Sequence, residues 1–210
     1  RPPIYTNRAN ISFPNSIGIF KTKVSASTPP SGKIKSPPMA MGKTKLKVED
    51  MAPIARGTND PQILMVNCKT SPYKTPEAFV AGMKKGDKIA FGGTHTGTID
   101  HITAFLFAKK LGQKMPKYIP FKGGGELATQ VVAGAVDVGV LNLSEAGGPI
   151  DAGDLCPLVI LGDNAMAPIP KAKTAKSMGI DLVLSTTRGF VTHKGADSAR
   201  GQCCSPVSAR

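Results

Sequence analysis

The residues best placed for chemistry sit in Ile89-Ala90-Phe91-Gly92-Gly93-Thr94-His95-Thr96-Gly97-Thr98-Ile99-Asp100-His101. This stretch reads as a short apolar strand, a glycine and threonine turn, and the opening of a helix. Thr98 is the expected N-cap, its hydroxyl placed to accept from an amide of the first turn. Ile99, Ile102 and Leu106 fall three and four apart and predict one apolar helix face. Such a turn aims unpaired backbone N–H groups and the positive end of a helix dipole at one spot, which suits a carboxylate or phosphate. The plain alternative is a tight turn with no ligand. No Gly-Lys-Ser/Thr follows, and Gly93 and Gly97 do not have the dinucleotide spacing.

The elements that would position this turn alternate between strand and helix. Ile63–Val66 is a strand candidate, followed by a Ser71–Lys74 turn and a helix opening at Thr75-Pro76-Glu77, with Thr75 as N-cap, Pro76 first in the helix and Gly86 ending it. Strand Lys88–Gly92, helix Thr98–Leu111 and strand Lys117–Phe121 come next. A second glycine turn, Gly123-Gly124-Gly125, precedes helix Glu126–Ala133. Val136, Val138 and Val140 alternate with Asp137 and Gly139, the period of a strand. Leu158–Leu161 and Leu182–Leu184 read as further strands around a helical Lys171–Met178 closed by Gly179. The alternation implies an α/β layer with a largely parallel sheet, whose ligands sit beyond the carboxyl ends of the strands, where both glycine turns fall.

Composition divides the 210 residues into three segments. The net charge of +13 is concentrated in 1–48, which hold nine Lys/Arg, no acid and seven prolines. This basic, proline-rich segment is expected to be mostly disordered. Its scattered charges and few aromatics do not favour a nucleic-acid arm. Residues 49–192 are nearly balanced, fifteen basic against thirteen acidic. No apolar run is long enough to cross a bilayer, and no secretory h-region stands near Arg1, which reads as a processed or cloned end. Cys68, Cys156, Cys203 and Cys204 show no zinc-ligand spacing and suggest no disulfide framework. Hydrolase elbows, His-Glu-x-x-His pairs and kinase loops are absent, so no catalytic residue, metal or cofactor is expected.

Six motifs then occur in order: Ser71-Pro72-Tyr73-Lys74-Thr75, the Gly92–His101 turn, Ile119-Pro120-Phe121-Lys122-Gly123-Gly124-Gly125-Glu126, Gly134-Ala135-Val136-Asp137, Ser144-Glu145-Ala146 and Arg188-Gly189-Phe190-Val191. From about Asp50 to about Arg200 the chain resembles the substrate-binding receptors of tripartite tricarboxylate transporters, the Bug family. The resemblance implies one lobe, residues 49–200, of a periplasmic-binding-protein-like (type II) fold, with the first lobe missing and an irregular tail at 201–210. It also implies a periplasmic receptor that holds a small mono-, di- or tricarboxylate by backbone amides and hydroxyls and serves a membrane permease.

The ligand-binding residues so implied are Gly93, Thr94, His95, Thr96, Gly97, Thr98, Lys122, Gly123, Gly124 and Arg188, with the three threonines as hydroxyl donors. Lys122 would add charge. Arg188 could pair with a second carboxylate or form an ion pair inside the lobe, and Glu126 would serve its helix dipole. His95 stands where the family pattern favours glycine, and a positive φ there would cost about 1 kcal/mol. His193 replaces an expected proline. Both ends look replaced, so the alternatives are a remnant of a damaged or mispredicted receptor gene, or an anion-using α/β enzyme.

Overall fold

The computed structural model describes residues 17–21, 45 and 47–193. Its contacts divide the chain into two compact units, Thr58–Arg188 and a second made of Arg1–Gly57 with Gly189–Arg210. The second unit contains strand β1 (Ile17–Lys21), a 3-10 turn at Val48–Asp50, the start of β2 (Met51–Asn67) and the end of β8 (Ser185–His193). β1 lies in the segment expected to lack periodic structure. The rest of that expectation, and the tail at 201–210, fall almost entirely outside the described residues.

Unit Thr58–Arg188 carries the candidate site. After β2 come α1 (Pro76–Lys85), β3 (Ala90–Thr94), α2 (Ile99–Lys110), β4 (Lys117–Phe121), α3 (Gly124–Val132), β5 (Val138–Asn142), α4 (Leu143–Asp151), β6 (Leu155–Ile160) and β7 (Lys173–Thr174). The sheet is mixed. β3 pairs in parallel with β4 (Gly92↔Ile119) and with β5 (Gly92↔Gly139), and β6 pairs in parallel with β7. β2 runs antiparallel to both β5 (Ile63↔Leu141) and β6 (Ile63↔Ile160). β5 and β6, both antiparallel to β2, are therefore parallel to each other, and the β5–α4–β6 connection is the helical crossover between them.

Helices cover both faces, which explains why the strands read as near-continuous apolar runs. Along β2, Leu64 and Val66 pack with Phe79, Phe91, Phe107 and Val140. Ile63 and Met65, one residue out of phase, pack with Leu127, Val131, Leu141 and Leu155 on the other face. Phe79 of α1 stacks on Phe107 of α2 with centroids 5.9 Å apart, tying the two helices over the first face. α1 begins and ends as expected, with the Thr75 hydroxyl accepting from Ala78 N and Gly86 left-handed at φ 90°.

Several elements differ from the sequence reading. β3 starts and ends two residues later than expected, because its ladder to β4 runs from Ala90 to Thr94. α2 buries Asp100, Thr103, Ala104, Phe107 and Ala108, while Ile102 remains 40% exposed. The helix has apolar residues on two sides, and the Phe79 and Phe91 rings select the Phe107 side. Lys171–Met178 is not a helix. The edge of β6 captures Lys173 and Thr174 as a strand, leaving one 3-10 turn at Lys176–Met178 before left-handed Gly179. Leu182–Leu184 precede β8 rather than forming a strand. α4, Leu-Ser-Glu-Ala-Gly-Gly-Pro-Ile-Asp, gave no helical signal because two glycines and Pro149 each oppose helix, and packing of Ala146 overrides them.

Cys68 and Cys156 form a disulfide with Cα atoms 5.0 Å apart, correcting the expectation of no framework. Eighty-eight residues separate them. Only the β2–β6 register, Val66 opposite Cys156 and Asn67 opposite Leu155, brings the two cysteines together.

Candidate functional site

β4, β3 and β5 lie side by side in parallel, and each runs almost directly into a helix. The N-termini of α3, α2 and α4 therefore gather at the carboxyl end of these strands. Their N-caps, Gly123, Thr98 and Asn142, make no side-chain capping bond, whereas α1 is capped by Thr75. Three positive dipole ends thus share one edge of the sheet.

The β3–α2 turn is built from inside. Gly93 is glycine because a Cβ there would lie 2.2 Å from the Tyr118 hydroxyl and 2.8 Å from Asp100 Cβ. Thr94 is 1% exposed. Its amide donates to Asp100 Oδ2 at 2.9 Å, and its hydroxyl donates to the same oxygen. Tyr118 Oη donates to the Thr94 carbonyl at 2.6 Å, and burial, aided by the Asp100 charge, pushes the tyrosine pKa up. The Thr98 hydroxyl turns back to the carbonyls of Thr94 and His95, at 2.7 and 2.8 Å. Thr98 thus holds the N-cap position without capping, because these two carbonyls take its proton. The His95 amide donates to the Phe121 carbonyl at 3.3 Å, stitching this turn to the one after β4.

Two of the expected hydroxyl donors, Thr94 and Thr98, and the amides of Thr94 and His95 are therefore engaged by the protein itself. Among the described residues, the amides of Thr96 and Gly97 have no protein acceptor. The His95 and Thr96 side chains are exposed. His95 does not carry a positive φ, so the expected strain is absent. Gly97, at φ 83°, makes the left-handed step.

In the second turn Lys122 is exposed, and its amide donates to Glu126 Oε2 at 3.0 Å. Glu126 thereby bonds the residue before the N-cap Gly123, and its carboxylate stands in the first turn of α3, where it suits the helix dipole. Gly124 is buried where a Cβ would lie 2.4 Å from the Glu145 carboxyl, so α4 brings its own carboxylate against the start of α3. The fold joins the Gly93–Thr98 and Lys122–Gly124 turns on adjacent strands. Arg188, on β8, has Nη1 3.8 Å from Asp60 Oδ2, an oxygen that also accepts from Ser144 Oγ, in the first turn of α4, at 2.7 Å. Asp137, exposed on the surface, accepts from Ala90 N at 2.7 Å. His101 packs edge-on against Tyr118 with centroids 4.7 Å apart.

Sequence reasoning missed Asp100, Tyr118 and Glu145, whose roles depend on strand order. It also missed a buried polar chain. Gln62 Nε2 donates to Thr186 Oγ1 (2.8 Å), Thr186 Oγ1 to Asn142 Oδ1 (3.2 Å), and Asn142 Nδ2 to the carbonyls of Asp60 and Pro61 (2.9 and 3.0 Å). This chain pins β2, β5 and β8 together beside Arg188. No group of three or more His, Cys, Asp or Glu that could hold a metal occurs among the described residues.

A mixed α/β sheet with helices on both faces and helix N-termini gathered at one strand end is the arrangement in which α/β proteins seat anionic ligands. The sequence profile described as "TctC: Tripartite tricarboxylate transporter family receptor" matches residues 31–200. The chain belongs to this family, and the match includes part of the segment before residue 49. Protein BugT of Bordetella pertussis is 24% identical over 210 residues, covering 94% of this chain and 62% of BugT. A TctC solute-binding protein crystal structure from Polaromonas is 30% identical with a TM-score of 0.66, covering 77% of this chain and 55% of that one. MatC of Rhodopseudomonas palustris, solved with bound malate, shares the fold at 20% identity and a TM-score of 0.62, covering 72% and 51%. The chain thus spans between about half and under two thirds of these proteins' lengths.

Proposed function

We propose that this chain is a periplasmic receptor, or part of one, that captures a small organic carboxylate for a tripartite tricarboxylate transporter and performs no chemistry on it. The observation that carries the reading is the shared edge of uncapped N-termini of α2, α3 and α4. An anionic ligand there meets N–H donors and favourable dipoles, with Lys122 at the rim and the Glu145 carboxylate beside the start of α3. The contacts are assigned to the amides of Thr96, Gly97, Gly123 and Gly124 and to the Thr96 hydroxyl, with His95 and Lys122 at the exposed rim. Thr94, Thr98 and Gly93 act behind them as the frame, and Arg188 serves Asp60. Malate in MatC supports the ligand class. A disulfide between Cys68 and Cys156 supports an oxidising compartment such as the periplasm. A membrane permease is the partner that the family implies.

Calorimetric titration of the purified chain with a panel of mono-, di- and tricarboxylates, malate and adipate included, tests the proposal. Saturable heat with at least one acid, lost in Gly97→Val, is expected. Absence of heat and of any thermal shift with every acid would overturn it.

A further inference from the structure

The opposite end of the same strands carries a second concave surface. A cavity of about 350 Å³ opens where α1 ends and where β3 and β4 begin. Met83, Ile89, Met115 and Pro116 form apolar wall, and Lys88, Lys114 and Lys117 stand around it. Gln113 Nε2 donates to the Lys84 carbonyl at 3.0 Å, so a side-chain bond joins the end of α1 to the loop after α2. Seven lysines fall between residues 84 and 117.

Four of them need no partner to explain them. Lys84 and Lys85 close α1, and Lys109 and Lys110 close α2, where cations suit the negative end of a helix dipole. The three cavity lysines have no such reason. Lys88 and Lys114 lie in loops and Lys117 opens β4; all three are exposed, and none forms an ion pair among the described residues. One carboxylate, Asp87, also lines the cavity, and it accepts from the Tyr73 hydroxyl at 2.8 Å. With one carboxylate against three lysines, the hollow keeps a net positive charge that an acidic partner would offset.

We propose that this pocket is a docking surface for an acidic protein segment, one that seats an apolar side chain against Met83 and Met115 while its carboxylates meet Lys88, Lys114 and Lys117. A flat anionic membrane would satisfy the lysines and leave the hollow unfilled. A free small anion would leave the methionine wall unused. The pocket lies at the amino ends of the strands, away from the turns assigned to the carboxylate, so docking and ligand capture can fail separately.

The test uses the full chain and a fluorescein-labelled peptide of alternating glutamate and leucine, followed by anisotropy. Controls are an all-glutamate peptide of equal charge and vesicles of phosphatidylglycerol. Saturable binding to the alternating peptide is expected, weakened about tenfold for the all-glutamate peptide and about tenfold again by Lys88→Gln/Lys114→Gln/Lys117→Gln. Binding should also fall as salt rises from about 0.1 M to about 1 M, which shortens screening from about 10 Å to about 3 Å. The three lysines make no structural contacts that their loss would break, and an unchanged melting curve verifies the fold. Met115→Ser is the second probe and should weaken the alternating peptide alone. Equal binding of both peptides, binding to vesicles but not to peptide, or unaltered binding by the triple variant would each overturn the proposal.

Discussion

Breaking the Cys68–Cys156 bridge should lower the melting temperature of the chain by far more than a surface substitution does. The bridge closes a loop with a sequence separation of 88 residues. Loop-closure entropy for that length corresponds to about 4.5 kcal/mol at room temperature, and measured bridges more often yield about 2–4 kcal/mol. For a chain of this size each kcal/mol moves the midpoint by about 2–4 °C, so a fall of about 5–15 °C is expected. The bridge also holds β2 to the start of β6 at the edge of the sheet's pairing, where Val66 faces Cys156. The assay is thermal unfolding with and without a phosphine reductant, in a background where Cys203 and Cys204 are serine, so that only this pair responds. Cys156→Ser should reproduce the reduced midpoint and be indifferent to reductant. Thiol titration of the denatured background protein should find no free thiol before reduction and two after. A midpoint shift under about 2 °C, with thiol titration proving that the bridge was present and then broken, would refute the loop-closure reasoning.

Three further outcomes follow from the same structure. Gly93→Ala puts a methyl 2.2 Å from the Tyr118 hydroxyl and should cost about 1–3 kcal/mol in urea unfolding, while Gly123→Ala, whose Cβ meets nothing, should cost far less. Asp100→Ala strips the acceptor from the buried amide and hydroxyl of Thr94 and should cost about 2–5 kcal/mol. Adding Thr94→Val should recover part of that by removing the orphaned hydroxyl. Burial, and then the Asp87 bond and charge, push the Tyr73 pKa up to about 12, and Tyr118 is raised in the same sense. The folded state therefore keeps protons that the unfolded chain has lost. Stability is fully present below about pH 10 and declines as pH rises towards 12, and Tyr73→Phe should flatten that decline in denaturant midpoints measured across the window.

How much of this was legible in the sequence depended on how local each cause is. Thr75, Pro76 and Gly86 define α1 through bonds within a few residues, and all three act where their types suggested. The Gly97 step and the two glycine turns are equally local. The antiparallel placement of β2, the disulfide and the Asp100–Thr94 pair depend instead on which strands become neighbours, information that no window of residues contains. Thr98 shows the boundary between the two. Its type and position announced a cap, but Thr94 and His95 offered carbonyls at 2.7 and 2.8 Å, and the hydroxyl donated there instead of accepting from an amide. The six motifs carried the family because each stands at a turn, a cap or a strand end, where backbone geometry narrows the choice of residue.

The β3–α2 turn divides its donors by depth, and that division suits the binding edge proposed for it. Buried donors cannot be left waiting for a ligand, since each unpaired one costs about 1–3 kcal/mol in the empty protein. Thr94, at 1% exposed, accordingly spends both its donors on Asp100, and the His95 amide spends its own on Phe121. Thr96 and Gly97 lie nearer solvent, where water can satisfy an amide until an anion displaces it, so donors can be kept free there without unfolding the turn. On the proposed carboxylate reading, Glu145, brought against Gly124, sets a limit on the ligand. A second negative charge reaching past α3 towards α4 would meet that carboxylate, so the distance from the free amides to Glu145 restricts how the far end of a dicarboxylate can lie. Glu145→Gln should therefore strengthen long dicarboxylates more than short ones. Titrations of malate and adipate against both forms measure that difference, and an equal gain for the two acids would remove Glu145 from the selection of ligand.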